Sequence, residues 1–288
     1  MKKSLYAVLA MGMALAIVPV AFADDVVVYN NIDNPLPPNV PSFAYEANAS
    51  SEFGGLIQFA GGGSSYNLTS ATVAMSDWSV ASGWTSSINN AAITIANSGY
   101  SATSSGFYVP LTLNLYNVGA KNSVGSLIAA ETVDAFIPWR PEASAGCGTG
   151  YSSGGACYSG SLSTVTFNLM GVNVPDDIIY GLSFNTTDYG TSPTGVAGPY
   201  DSLNFGLSVT APTVGSNPLP DTAYWETTDA GDYTDGGAGG VGTFRQDTGW
   251  TPYSGEIDFT ATPEPSSLLL LGSGLVGLAG MLRRKLRA

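Results

Sequence analysis

The feature that most constrains the fold is a two-residue alternation of apolar and polar side chains along the middle of the chain. In VPLTLNLY, Val109, Leu111, Leu113 and Leu115 share one face; in TVTFNL, Val165, Phe167 and Leu169 do; in LNFGLSV, Leu203, Phe205, Leu207 and Val209 do. Near the end, Ile257, Phe259 and Ala261 alternate with Glu256, Asp258 and Thr260. Successive side chains of a strand point to opposite faces, so this period belongs to half-buried β-strands. Residues 55–59, 71–78, 92–96, 127–137 and 178–184 are further strand candidates. The spacers are rich in Gly, Ser, Thr and Asn, which favour turns. About nine or ten such strands predict an all-β fold, an antiparallel β-sandwich of jelly-roll type whose two sheets bury their apolar faces against each other. A parallel β-helix is the alternative, and no repeat of fixed period supports it. Val26 to Val40, with Pro35, Pro37 and Pro38, reads as a strand followed by an extended arm. The segments 210–220 and 231–243 read as connections.

Helices are expected only at the two ends. The N-terminus runs from Met1-Lys2-Lys3 through an apolar stretch, Leu5 to Val20, to Ala21-Phe22-Ala23 and then Asp24-Asp25. A basic start, an apolar middle and small residues at Ala21 and Ala23 form a secretory signal peptide, with cleavage by signal peptidase expected after Ala23. At the other end, Leu268 to Leu282 carries no charge and spans about 22 Å as a helix, short of the roughly 30 Å hydrocarbon core of a bilayer. Arg283, Arg284, Lys285 and Arg287 follow at once. Cationic flanks stay on the cytoplasmic side, so the body before this transmembrane helix is expected outside. Pro263-Glu264-Pro265 precedes it and reads as an extended, accessible tripeptide, because each proline fixes its own φ and disfavours helix at the residue before it.

Pro-Glu-Pro, a short apolar helix and a terminal basic cluster, in that order, resemble the bacterial PEP-CTERM sorting signal. The resemblance covers about the last 26 residues. It implies recognition by exosortase, a membrane-embedded cysteine transpeptidase-like enzyme, with transient anchoring in the inner membrane and then delivery to the cell surface or its exopolysaccharide matrix. The chain therefore divides into a signal peptide (1–23), an exported body (24–261) and the sorting signal (262–288).

Composition excludes several kinds of chemistry for the body. Lys121, Arg140 and Arg245 are its three basic residues against 21 acidic ones, a formal charge of −18 over residues 24 to 262. Nucleic acid is not an expected partner, since no basic surface is available to displace counterions from phosphates. Histidine is absent. Ser-His-Asp and Cys-His catalysis and imidazole-bound zinc go with it. Cys147 and Cys157, in CGTGYSSGGAC, are expected to form a disulfide in an oxidising compartment, since no base is at hand to make either a reactive thiol.

Trp139 and Arg140, in IPWRPE, are the candidate ligand pair, as a stacked indole and guanidinium orient a hydroxyl-rich or carboxylated ligand. The plainer alternative is a structural corner, with Trp139 in the core and Arg140 paired to a carboxylate. Asp229, Asp232 and Asp235, three apart in DAGDYTDGG, offer oxygens to calcium at a spacing other than that of the EF-hand loop. No local pattern selects a catalytic carboxylate pair among the 21 acids. The expectation is a structural or adhesive, non-enzymatic protein of the cell surface or extracellular matrix. A carbohydrate-binding module is the rival and a carboxylate-dependent glycosidase the third option.

Overall fold

The computed structural model describes residues 25–88, 101–189, 193–227 and 244–262. Their strands are β1 (Val26–Asn30), β2 (Ser42–Ala44), β3 (Ser50–Gln58), β4 (Ser65–Asp77), β5 (Ser101–Ala102), β6 (Gly106–Val118), β7 (Val124–Pro138), β8 (Tyr151–Ser153), β9 (Ala156–Tyr158), β10 (Ser161–Pro175), β11 (Asp177–Ser183), β12 (Leu203–Ser208), β13 (Thr222–Thr227), β14 (Arg245–Thr248), β15 (Ser254–Gly255) and β16 (Ile257–Thr262). One helix of eight residues, α1 (Ala81–Ile88), follows β4. The expected strand at 92–96 and both terminal helices lie outside the described residues. No helix among the described residues is long and apolar enough to cross a membrane.

Two seven-stranded antiparallel sheets carry the fold. The first is ordered β1-β16-β4-β12-β15, with β10 on the other flank of β4 and β2 beside β12. The second is β14-β13-β3-β11-β6-β5, with β7 on the other flank of β6. β8 and β9 make a separate hairpin. The alternation places residues as expected in β6, where Val109, Leu111, Leu113 and Leu115 are all buried, and in β10 and β16, where Val165, Phe167, Leu169, Ile257, Phe259 and Ala261 are. Aromatic rings join the two sheets through a common core: Phe53 of β3 meets Phe205 of β12 at 6.1 Å, and Tyr180 of β11 meets Phe259 of β16 at 6.4 Å.

Four departures from the sequence expectations have physical causes. Val209 does not join the buried face of β12; it is exposed, because the chain has already turned away at Ser208, whose hydroxyl receives the Thr210 amide. Glu256 is not on a solvated face. It is wholly buried beside Gly206, whose carbonyl receives the Glu256 N–H and against which Val40 of the arm packs. β13 was hidden from the pattern because both of its faces are apolar: Trp225 enters the main core, while Tyr224 packs with Leu56, Ile179 and Phe244 in a second cluster on the outer side. α1 is Ser- and Gly-rich and weak by propensity. Its first turn is held from a distance, Ser82 N and Oγ donating to the two oxygens of Glu142 at 3.0 and 2.9 Å.

Candidate functional sites

The corner after β7 gathers several residues singled out in the sequence. Trp139 Nε1 donates to Thr103 O at 3.0 Å and its ring lies 5.2 Å from Phe107. Arg140 spends its guanidinium on backbone carbonyls: Nε on Trp78 O, Nη1 on Pro141 O and Nη2 on Thr149 O, at 2.8, 3.0 and 2.8 Å. Trp139 thus ties the corner to the turn between β5 and β6 and Arg140 ties it to the end of β4 and to the cysteine loop, and Arg140 both bonds carbonyls and exerts its charge on the Asp77 carboxylate. The expected disulfide is present, Cys147 to Cys157 with Cα atoms 5.4 Å apart. Asp229, Asp232 and Asp235 lie outside the described residues. Among the described residues, no group of three or more metal-ligating side chains is assembled.

Carboxylates come together at a place that no local pattern marks. On the outer face of the second sheet, Glu52 of β3 stands directly opposite Glu226 of β13. Tyr116 Oη and Asn114 Nδ2, from β6, each donate to Glu52 Oε1 at 2.9 Å. Burial pushes the Glu52 carboxyl up to about 7, against the pull of those two donors. Glu226 is also raised by burial, and Ser51 and Arg245 draw it back. Gly181 makes the site possible, because a Cβ there would stand 2.1 Å from Glu52 Oε1. The pair stands cross-strand on one face of the sheet. It lacks access, for Glu52 is only 6% exposed. A register argument would have found it only if the β3–β13 pairing were known in advance.

A second buried acid sits on the outer face of the first sheet. Glu256 lies where the chain enters between β12 and β4, its N–H donating to Gly206 O and its carbonyl receiving Ala74 N. Its side chain is fully buried and neither oxygen has a hydrogen-bond partner. Burial, then the charge of Asp33, raises this carboxyl to about 7. Asp77, at the end of β4, is raised to about 7 by burial although Ser79 N and Oγ both donate to it.

A surface groove of about 320 Å³ opens beside β2. Pro41, Phe43 and Leu207 give it apolar walls, Ser42 and Asn48 supply polar atoms, and Trp250 and Tyr253 stand on the turn leading into β15. Asp247 Oδ2 receives Trp250 Nε1 at 3.0 Å, and the indole packs against Phe53 at 5.1 Å.

The last described strand, β16, is an interior one, paired with β1 on one side and β4 on the other, and Thr262 Oγ1 donates to Asn67 O at 3.3 Å. Residues 261–285 match the PEP-CTERM protein-sorting motif. The PEP-CTERM match begins at Ala261, inside β16, so the folded body runs into the sorting signal without a spacer. Pro263, Glu264, Pro265, Leu268, Leu282, Arg283, Arg284, Lys285 and Arg287 lie outside the described residues, as do Ala21 and Ala23. A PEP-CTERM motif marks an exported protein sorted to the cell surface, with exosortase as its processing enzyme. No curated protein and no solved structure matches the chain.

Proposed function

We propose that this chain is a structural or adhesive, non-enzymatic protein of the cell surface or extracellular matrix, built on a jelly-roll-like β-sandwich. In this reading signal peptidase removes residues 1–23, and the apolar segment 268–282 holds the precursor in the inner membrane until exosortase acts at Pro263-Glu264-Pro265. The observation that carries the sorting part of this reading is the PEP-CTERM match beginning in the final strand of the body; the structural role rests on the acidic, histidine-free composition. Two further observations support a non-catalytic body. The facing acids Glu52 and Glu226 have one member sealed from solvent, and the candidate pair Trp139 and Arg140 is engaged within the corner.

Replacing Pro263, Glu264 and Pro265 together by alanine tests the sorting step. Full-length protein is then expected to accumulate in the inner-membrane fraction, while the unaltered chain is trimmed and leaves it. Processing and release at the unaltered rate would overturn the reading. N-terminal sequencing of the released protein is expected to begin at Asp24.

A further inference from the structure

We infer that the groove between Tyr253, Trp250 and Asn48 is a binding site for an uncharged, hydroxyl-rich sugar ring of a polysaccharide. The inference rests on the reading of the chain as an exported surface protein and gives that protein a partner class.

Charge is the first argument. The body carries a formal −18, yet none of the residues lining this groove is charged. An anionic polymer meets repulsion from the surrounding protein and finds no cation in the groove to offset it, and a cation finds no carboxylate. The remaining ligand class is neutral.

Shape and chemistry narrow it further. Tyr253 is 39% exposed, and its hydroxyl has no hydrogen-bond partner among the described residues. It therefore offers the groove both a ring face and a free donor and acceptor. The Trp250 indole is fixed before any ligand arrives, by Asp247 at its N–H and by Phe53 and Phe43 against its ring, at 5.1 and 5.9 Å. The Asn48 amide nitrogen is held by Ala44 O at 2.7 Å, which fixes the side chain at the rim and leaves its oxygen to accept. A pyranose suits this set. The C–H bonds on one of its faces are slightly positive and settle on the negative face of an aromatic ring, while its hydroxyls at the edge bond to groups such as the Asn48 oxygen and the Tyr253 hydroxyl. Because the aromatic parts are already in place, little side-chain freedom is lost on binding.

The test uses the full chain in mild detergent, run by affinity electrophoresis through gels containing a neutral polysaccharide (dextran, mannan or a mixed-linkage β-glucan) or an acidic one (alginate). Retardation is expected in at least one neutral gel and absent with alginate. Tyr253→Ala, which removes an exposed side chain, is expected to weaken binding at least tenfold with thermal stability unchanged. Tyr253→Phe, which keeps the ring, should lose no more than a few-fold. No retardation by any neutral polymer, equal retardation by alginate, unaltered binding by Tyr253→Ala, or a loss in Tyr253→Phe as deep as in Tyr253→Ala would each overturn the site. Binding by the purified chain does not depend on where the cell delivers it, so this result and that of the sorting experiment stand or fall separately.

Discussion

Glu52 and Glu256 are both buried acids on the outer faces of their sheets, and both are raised to about 7, yet they are built in opposite ways. Glu52 has a tailored seat: Tyr116 and Asn114 donate to it, and Gly181 leaves room for its oxygen. Glu256 has none, with both oxygens unpartnered beside Ala74 and Gly206 under the proline arm. One titration range thus conceals two balances. At Glu52 a large desolvation cost is partly offset by hydrogen bonds to the charged form; at Glu256 desolvation acts with nothing to oppose it. A satisfied buried acid can hold neighbouring strands in register, whereas an unsatisfied one penalises the folded state, and most heavily once it ionises.

The largest expected effect comes from pH and acts on both sites at once. A carboxyl raised in the folded state stabilises fully below its unfolded value, near 4.5 for these glutamates, and loses that contribution as pH rises through about 7. Asp77, raised to about 7, and Asp258, raised to about 6, act in the same direction. Thermal unfolding is therefore expected to fall by about 10 °C between pH 5 and pH 8. A Tm that stays level or rises over that range would break the comparison at its root.

Next in size is Gly181→Ala. Its Cβ would collide with the Glu52 carboxyl and must displace it from Tyr116 and Asn114, at a cost of about 2–3 kcal/mol measured by denaturant unfolding at pH 5. A loss below about 0.5 kcal/mol would mean that the seat is not rigid. A smaller effect, and of opposite sign, belongs to Glu256→Gln. Removing an ionisable group that has no partner to lose should stabilise the protein by about 1 kcal/mol at pH 8 and leave it almost unchanged at pH 5. Glu52→Gln should gain less at pH 8, because the charged form of Glu52 has donors to give up. Equal gains from the two substitutions would erase the distinction.

Legibility in the sequence depends on which surfaces the fold hides. β6, β10 and β16 each press an apolar face into the shared core, and their alternation reads directly from the residues. Such a pattern reports one buried face and fails where there are two. That is why β13, with Trp225 inward and Tyr224 outward, and Glu256, under a non-local arm, were not visible. α1 depends on Glu142, sixty residues away, and no local window contains that contact. The cysteine pair was legible because a short glycine-rich spacer closes easily. Trp139 and Arg140 attracted notice by rarity and nature, and the structure finds them joined to Thr103, Trp78 and Thr149. The groove has no local signature because Asn48, Leu207 and Tyr253 converge only once β2, β12 and the turn before β15 are in place.

The pairing of Val26 with Ala261 makes the opening and closing strands of the body neighbours. The first sheet therefore closes late in the chain: β1 has no strand joining it to β4 until the final strand is available to slot in between. A chain cut short before β16 lacks the piece that bridges β1 and β4, so only the complete body can zip shut.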